Sequence, residues 1–245
     1  MDRYDGLSAQ ELASRAGVPR VELFQVVAST MDEAHALGAS GADAGTVVLA
    51  DAQAAGRGRS GKRWSSPPRG IWMTLLERPV DPSALDVMSL RIGLAAARAI
   101  DAFAAEPVRL KWPNDLFVAD AKVAGVLVEA RWRGDHLDWV AIGLGVNMEP
   151  PEDQATASAL ESGTARVDVI CALLPELRAA AAMAGMLTAD EMDEFAARDL
   201  ARGRNCVEPL RGRVRGIQAT GELLVELADS TAAVRSGSLV LEASE

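Results

Sequence analysis

Residues 56–64 read GRGRSGKRW, which places three glycines, four cationic side chains and an indole in nine consecutive positions. The whole chain has a formal net charge of -10, so this density of positive charge is local. Glycine backbones can approach a ligand closely with their N–H groups, and Trp64 offers a flat face for stacking. Because neighbouring cations repel one another, we expect this loop to hold an anion; the alternative is a solvated basic hairpin.

Two familiar nucleotide-binding signatures overlap in this loop, and neither fits its context. Residues 56–61 match the G-x-G-x-x-G dinucleotide fingerprint, and residues 56–62 match a Walker loop until Arg63 replaces the required Ser or Thr. Both motifs need a helix that opens directly after the glycines. The prolines and glycine in residues 65–70 break helical structure, so we expect neither fold.

A second cluster, KWPND at residues 111–115, is followed by KVAGVLVE at residues 122–129 after a turn at 119–121. With shorter motifs before and after, these segments closely resemble the biotin protein ligases. The resemblance runs from about Ser29 to Met148 and continues more weakly to the end. It is specific because separated motifs occur in one order and KWPND is long. The shorter motifs are Ser29-Thr30, Gln53 and GLGVNM at residues 143–148.

The resemblance implies an α+β fold, in which helices flank a mixed β-sheet of the class II synthetase-like type found in biotin and lipoate ligases. A small SH3-like β-barrel follows it. We expect an N-terminal helical extension (1–20), a biotin- and ATP-binding catalytic domain (21–202) and the SH3-like domain (203–245). Residues 8–18 resemble the first helix and turn of a helix-turn-helix, but too few residues follow before Ser29 for a DNA-reading helix and a wing. We therefore expect an N-terminal helix that packs on the enzyme.

Local patterns predict the elements of these parts. Thr30 to Glu33 forms a capping box with Thr30 as the N-cap, and a turn at Gly134-Asp135 joins two long strands. Alternating short strands and turns after residue 203 predict the small β-barrel. Predicted helices lie at 30–37, 83–103, 167–184 and 188–202, and predicted strands at 46–50, 71–77, 108–110, 122–132, 137–146, 207–217, 223–227 and 239–242.

The bulk composition favours a cytoplasmic enzyme. The acidic balance argues against nucleic-acid binding, and the chain start is too polar for a secretory signal. No apolar run is long enough for a membrane span. Cys171 and Cys206 are too few for a disulfide framework and are expected to be reduced. No cluster has zinc-ligand spacing, and His35 and His136 lie far from every motif and receive no role.

The resemblance implies a two-step reaction. ATP activates the biotin carboxylate to give biotinyl-5′-AMP and pyrophosphate, and the biotinyl group then passes to one lysine of the biotin carboxyl carrier protein domain of a carboxylase. Both reactants of the first step are anions. At about 4 Å and an effective dielectric of about 20, two unit charges repel by roughly 4 kcal/mol, so cations and Mg²⁺ on the phosphates are needed. We expect no metal held by the protein alone.

Motif positions assign residues to these steps. The catalytic candidates are Lys122, Arg59 and Asp115, and Lys122 is placed by the resemblance beside the carboxylate and the α-phosphate; otherwise it is an exposed turn lysine. Asp115 could hold Mg²⁺ or accept a proton from the carrier lysine. Biotin-binding candidates are Ser29, Thr30, Gln53, Arg57, Gly58, Arg59, Lys122 and Gly125. Candidates for ATP or the adenylate are Gly56, Arg57, Gly58, Arg59, Lys62, Arg63, Trp64, Lys111, Asn114 and Asn147.

Met31 marks a departure from the family, whose members carry Asn after Ser-Thr. One polar contact to the biotin ring is therefore expected to be missing, or to be replaced by a backbone group. Trp64 is expected at the adenine end of the site. Asn147 is expected at the purine edge, because an amide both donates and accepts.

Three rival functions remain open from the sequence. A lipoate-attaching ligase shares the fold and the acyl-adenylate chemistry but not the basic loop joined to KWPND. A biotin-sensing repressor needs an N-terminal winged helix, and a non-catalytic binder would fail an ATP–pyrophosphate exchange assay. The acceptor carboxylase stays open. So does the oligomeric state, although exposed sheet edges often pair between subunits, which makes a homodimer a further option.

Overall fold

A mixed sheet of seven strands forms the framework of the protein in a computed structural model that describes residues 1–79, 81–150 and 157–242. The first two strands pair in parallel and all other neighbours pair antiparallel. The α+β class expected from the sequence is confirmed. The strands are β1 (Arg20–Val27), β2 (Thr46–Gln53), β3 (Ile71–Glu77), β4 (Arg109–Lys111), β5 (Asp115–Val118), β6 (Ala121–Arg133) and β7 (His136–Val146), in the spatial order β1-β2-β3-β7-β6-β5-β4.

Five α-helices lie against this sheet or beside it: α1 (Ala9–Ala16), α2 (Thr30–Ala39), α3 (Leu85–Ile100), α4 (Arg166–Ala181) and α5 (Ala189–Arg198). Helices α3 and α4 pack on each other over one face, where Val47 and Leu49 of β2 join the main core. Helix α2 covers the other face and packs Met31 and Ala34 against Val48. Successive residues of a strand point to opposite faces, so β2 is buried on both sides by this arrangement.

The predicted elements agree with the structure where a local pattern was strong. The helical pattern predicted at 83–103 corresponds to α3 with a short 3-10 turn at each end. Strands β1 and β5 were not predicted. Charged residues interrupt the apolar pattern of β1, which is an edge strand, and β5 has only four residues, the first of which is the last residue of the KWPND motif.

The prediction that Thr30 caps helix α2 is wrong. Ser29 is the N-cap, and its Oγ accepts a hydrogen bond from the Met31 amide at 3.3 Å. The Thr30 hydroxyl instead lies within hydrogen-bond distance of Gln53 Oε1, at 3.1 Å, and of Thr74 Oγ1, at 2.9 Å. Strand β2 supplies the Gln53 partner, so a non-local contact displaces the local capping box.

The N-terminal helix α1 begins at a capping box formed by Ser8 and Glu11 and packs against α4 and β1. The expected packing of this helix on the main body is therefore observed. The buried Tyr4 lies under the Arg166 guanidinium, whose carbon is 4.2 Å from the ring centroid, and Arg166 also pairs with Asp5 and Asp51. These contacts join the chain start to the end of β2.

A second, five-stranded sheet follows the helices and confirms the expected small C-terminal β unit. The strand predicted at 207–217 is divided in two, because Pro209 lies in the break and cannot donate a ladder hydrogen bond. Residues 243–245, the end of the predicted C-terminal domain, lie outside the described range. The strands are β8 (Asn205–Glu208), β9 (Gly212–Ile217), β10 (Leu223–Glu226), β11 (Thr231–Val234) and β12 (Val240–Leu241).

Within the described ranges no helix is long and apolar enough to cross a bilayer. Cys171 and Cys206 are free thiols, as expected. Burial raises the pKa of both groups.

Candidate functional site

A cavity of about 300 Å³ opens over the middle of the large sheet. Its walls come from the start of α2, the basic loop, the KWPND segment and a stretch near the chain end. Fourteen of the sixteen predicted site residues line it: Ser29, Thr30, Gln53, Arg57, Gly58, Arg59, Lys62, Arg63, Trp64, Lys111, Asn114, Asp115, Lys122 and Gly125. The structure therefore brings fourteen predicted residues that are far apart along the chain to one cavity.

Three glycines of β6 and β7 lie on the floor of the cavity, because the Trp64 ring and the Met31 thioether pack directly on the sheet there. Gly125 of β6 pairs in register with Gly145 of β7. A Cβ at Gly125 would stand 2.9 Å from Trp64 Cζ3, and a Cβ at Gly145 would stand 2.7 Å from Trp64 Nε1. A Cβ at Gly143 would stand 2.8 Å from Met31 Cε. Any larger residue would displace Trp64 or Met31 from the floor.

The basic loop is a small hairpin whose backbone is largely satisfied within itself. Arg57 and Arg63 form a bridge, and the Gly58 amide donates to the Lys62 carbonyl at 2.7 Å. Only Gly61 of the three loop glycines has a positive φ, 74°. Gly56 is required by close approach, since a Cβ there would stand 2.6 Å from the Trp64 carbonyl oxygen. No helix follows in residues 65–70, as predicted.

One end of the cavity carries neutral polar groups that hold one another in place. Gln53 Oε1 accepts from the Thr30 amide at 2.8 Å, and Gln53 Nε2 donates to Ser66 Oγ at 2.8 Å. The backbone donor at Thr30 settles which side of the Gln53 amide is oxygen. Strand β2 thus links the first turn of α2 to the exit of the basic loop. Ser29 and Thr30 are both buried, so this end is preorganised.

The opposite end carries cations around one carboxylate. Lys122 Nζ lies 2.6 Å from Asp115 Oδ1 and 4.8 Å from the centroid of the Trp64 ring. Burial lowers the pKa of the Lys111 ammonium; Asp115 opposes this shift, and Lys122 and Lys62 reinforce it. Burial also lowers the pKa of the Arg59 guanidinium. An anion bound here would oppose these shifts, because it favours the charged forms of all these groups.

The charge balance of the cavity is strongly positive. Among the described lining residues Asp115 is the only carboxylate. The six lining cations are Arg57, Arg59, Lys62, Arg63, Lys111 and Lys122. A site with this balance is suited to a multiply charged anion such as a triphosphate.

Two predicted site residues, Gly56 and Asn147, do not line the cavity. Asn147 is buried behind it, where its Nδ2 lies 3.3 Å from the Lys122 carbonyl oxygen and 3.0 Å from that of Ser158. It therefore fixes the backbone that carries Lys122. Asn114 lines the cavity, but its Nδ2 donates to the Val126 carbonyl at 2.7 Å and closes the KWPND turn against β6.

Residues 237–240 form part of the wall and were not predicted as site residues. Ser238 Oγ lies 3.4 Å from Lys62 Nζ, so the second sheet meets the basic loop at the rim of the cavity. Trp112 supports this junction by donating its indole N–H to the Gly221 carbonyl at 2.9 Å. The stretch contains only Gly-Ser-Leu-Val, which carries no chemical signal in the sequence.

The expectation that His35 lies far from every motif is wrong. His35 Nε2 lies 3.0 Å from Glu129 Oε2, and Glu129 Oε1 lies 3.5 Å from an Arg57 guanidinium nitrogen. Position 35 is on α2, two turns from Ser29, and only the packing of α2 on the sheet brings it to β6. His136 remains exposed at the β6–β7 turn.

In the described part of the chain no three His, Cys, Asp or Glu side chains are grouped in a way that could hold a metal ion. Asp115 is thus the carboxylate that the cavity can offer to a cation brought by a ligand. Mg²⁺ commonly binds through one or two carboxylates together with substrate phosphates and water. The donor set fits a metal that arrives with a triphosphate.

Comparison with known proteins gives consistent matches. The model of a family described as the biotin/lipoate A/B protein ligase family matches residues 23–147. The bifunctional ligase/repressor BirA of Bacillus spizizenii is 38% identical over 130 residues, which cover 52% of this chain and 40% of that protein. The biotin–acetyl-CoA-carboxylase ligase of Mycobacterium tuberculosis is 30% identical over 253 residues, which cover 96% and 93%.

Among solved structures, the biotin protein ligase from Aquifex aeolicus in complex with biotin and ATP matches with a TM-score of 0.76 and 24% identity. The match covers 91% of this chain and 99% of that chain. At this identity the likeness establishes a shared fold. The alignments with BirA proteins span less than half the length of those relatives.

Proposed function

The chain belongs to the biotin/lipoate A/B protein ligase family, and on that premise we propose that it is a biotin protein ligase. It activates biotin with ATP to biotinyl-5′-AMP and then biotinylates one lysine of a carrier domain. One observation carries this proposal: six cations and a single carboxylate line a cavity that also carries a network of neutral polar groups at one end. Such a site takes a ligand that is uncharged at one end and polyanionic at the other.

The neutral end suits the ureido ring of biotin, which needs fixed donors and acceptors. Ser29, Thr30 and Gln53 supply these groups on a preformed network. Met31 is buried against Gly143 and offers the ring system an apolar contact where family members have Asn. The carboxylate of biotin would then extend toward the cations.

The first step joins two anions. A carboxylate oxygen of biotin attacks the α-phosphorus of ATP, the bond from that phosphorus to the bridging oxygen breaks, and pyrophosphate leaves. Lys122 lines the cavity beside Trp64 and Asp115. Its ammonium can align both anions and stabilise the charge that develops on the α-phosphate.

The loop residues complete the anion site. Arg57, Gly58 and Arg59 close over the adenylate, and Lys62, Arg63 and Lys111 face the outer phosphates. Trp64 provides the flat surface beside the adenine. Mg²⁺ would neutralise phosphate charge, with Asp115 as the protein ligand that reaches it. Asn114 and Asn147 contribute by holding the backbone around Val126 and Lys122.

The second step needs a neutral amine. The acceptor lysine attacks the acyl carbon of the adenylate, AMP leaves, and the amine gives up a proton. Asp115 can accept that proton, and because this task follows pyrophosphate release, one carboxylate can serve both steps. The acceptor is a biotin carboxyl carrier domain of a biotin-dependent carboxylase. The proposed domains are residues 1–20, 21–202 and 203–245, with residues 237–240 joining the last two at the site.

The test is biotin-dependent ATP–pyrophosphate exchange, run in parallel with lipoate. The proposal expects exchange with biotin, exchange near background with lipoate, and biotin transfer to a purified carrier domain in a streptavidin blot. Exchange with lipoate alone would establish the rival ligase. Binding of both substrates without exchange would indicate a non-catalytic binding protein. A biotin-dependent shift of operator DNA in a gel would indicate an additional repressor role.

A further inference from the structure

A chain of polar contacts runs from strand β7 through helix α2 to the basic loop. Trp139 Nε1 lies 3.0 Å from His35 Nδ1. An indole N–H can only donate, so Nδ1 must be the unprotonated acceptor nitrogen. The ring proton of neutral His35 is then on Nε2, which donates to Glu129 Oε2 at 3.0 Å. The tautomer of His35 is therefore set by its two partners.

The far end of this chain is the guanidinium of Arg57. One of its nitrogens lies 3.5 Å from Glu129 Oε1, and the other lies 2.8 Å from Asp32 Oδ1. Asp32 and His35 are three residues apart on α2 and lie on the same side of that helix. Helix α2 therefore holds Arg57 directly through Asp32 and indirectly through His35 and Glu129.

The contacts become more buried with distance from the loop. The side chains of Arg57, Glu129 and His35 are 37%, 23% and 11% exposed, and Trp139 is buried. A surface ion pair alone is worth little, because solvent screens it and both side chains remain mobile. A Glu129 carboxylate held by the half-buried His35 ring, and also by Arg131 at 3.3 Å, loses that mobility before Arg57 binds.

We propose that His35 is a positioning residue for Arg57: it orients Glu129 so that the Arg57 guanidinium is already placed beside the biotin end of the cavity before substrate arrives. This inference rests on the proposed function only in the identity of the ligand that Arg57 binds. His35 does not line the cavity.

The arrangement makes positioning sensitive to acid. Burial lowers the pKa of His35, and Arg131 and Arg57 act in the same direction, whereas Glu129 opposes them. Arg78 lies over the Trp139 ring on the other side, and Asp32 is on the helix itself. Protonation would add an N–H at Nδ1 facing the Trp139 N–H. Because the pKa of His35 is lowered, the Trp139 contact would persist at about pH 6.5, the ordinary pKa of histidine, and would be lost only at a more acidic pH.

The first experiment needs no substrate. Trypsin cleavage after Arg57 is followed in the ligand-free protein for wild type, His35→Phe, His35→Gln and the control His136→Phe. We expect His35→Phe to speed this cleavage about fivefold, because Glu129, one of the two anchors of Arg57, loses its His35 partner. His35→Gln offers an amide oxygen to Trp139 and an N–H to Glu129, so it should behave like wild type, as should His136→Phe.

The second experiment measures exchange at several pH values. We expect His35→Phe to raise the KM for biotin about tenfold, equivalent to about 1.4 kcal/mol, with little change in kcat. Wild type should show a KM that stays low at about pH 6.5 and rises only at a more acidic pH, because the pKa of His35 is lowered, whereas His35→Gln keeps a low KM because it does not titrate. In an Arg57→Ala background, His35→Phe should add little, since both changes act on one contact.

Several results would overturn the inference. Unchanged cleavage after Arg57 in His35→Phe would refute it even if no exchange occurs, which separates its failure from that of the proposed function. Effects of His35→Phe and Arg57→Ala that add fully would mean that they act independently. A third result would be that His35→Phe and His35→Gln both lower the melting temperature and both keep the wild-type rise of KM at acidic pH. This result would mean that His35 has only a structural role.

Discussion

Replacing Lys122 with alanine should test the reaction centre most directly. The change removes one positive charge and leaves Asp115, whose Oδ1 lies 2.6 Å from Lys122 Nζ, without its partner. A unit charge about 4 Å from the α-phosphate interacts by roughly 4 kcal/mol at an effective dielectric of about 20. If about half of this is gained only in the transition state, the barrier rises by about 2 kcal/mol, or about thirtyfold in rate.

The unpaired Asp115 carboxylate should enlarge the loss by about a further thirtyfold, toward a thousandfold in all, because it would repel the triphosphate by about 4 kcal/mol, of which again about half is felt only in the transition state. Adding Asp115→Asn to Lys122→Ala should relieve this repulsion but also remove the proposed Mg²⁺ ligand, so we expect a recovery of roughly tenfold, less than the full thirtyfold. The assay is biotin-dependent ATP–pyrophosphate exchange at saturating substrates. Thermal unfolding serves as the folding control, and Arg211→Ala, which removes an exposed cation paired with Glu242, controls for net charge.

Exchange by Lys122→Ala within about threefold of wild type, a change of about 0.7 kcal/mol, would refute the catalytic role of Lys122. A double variant that is slower than Lys122→Ala would contradict the repulsion argument and instead assign Asp115 a necessary role of its own.

Three further predictions concern the loop and the floor. Arg59→Gly should release the reactive adenylate about ten to a hundredfold faster and biotinylate a bystander such as serum albumin; bystander labelling at the wild-type level with intact exchange would contradict this. Biotin with ATP should slow trypsin cleavage within residues 56–64 about tenfold or more, and equal rates with and without ligands would argue against loop ordering. Gly145→Ala should raise the KM for ATP about tenfold, because its Cβ would stand 2.7 Å from the Trp64 ring, whereas Gly93→Ala, whose Cβ would meet Leu110 at 3.5 Å, should not. A normal KM in Gly145→Ala would show that the position of Trp64 is unimportant.

Features that depend on nearby residues could be predicted from the sequence. The prolines and glycine of residues 65–70 exclude a helix after the basic loop through their own backbone restrictions, and the structure has none there. The apolar period of residues 83–103 predicted α3 because the same period determines which face is buried. The motifs at residues 56–64 and 111–115 pointed to the cavity because their density of charge has few other uses.

Only the tertiary structure decided which distant residues meet. Trp64 lies on Gly125 and Gly145 because β6 and β7 pair in that register, and no local pattern encodes this contact. Ser29, and not Thr30, is the N-cap of α2, because Gln53 of β2 accepts hydrogen bonds from the Thr30 amide and hydroxyl. Such contacts join groups separated by many residues, so their energy depends on packing that the chain acquires only when it folds.

The same reason explains the residues that the sequence left without a role. His35 is an isolated histidine on a helix until α2 packs beside β6 and brings it to Glu129. Ser238 is an ordinary turn residue until the second sheet meets the basic loop. The sequence by itself indicated the family, through the resemblance of its motifs, and identified the residues that carry charge, because both depend on residue type and spacing. The tertiary structure decided how those charges are held, because a hydrogen bond or an ion pair requires two groups at a distance that only the fold sets.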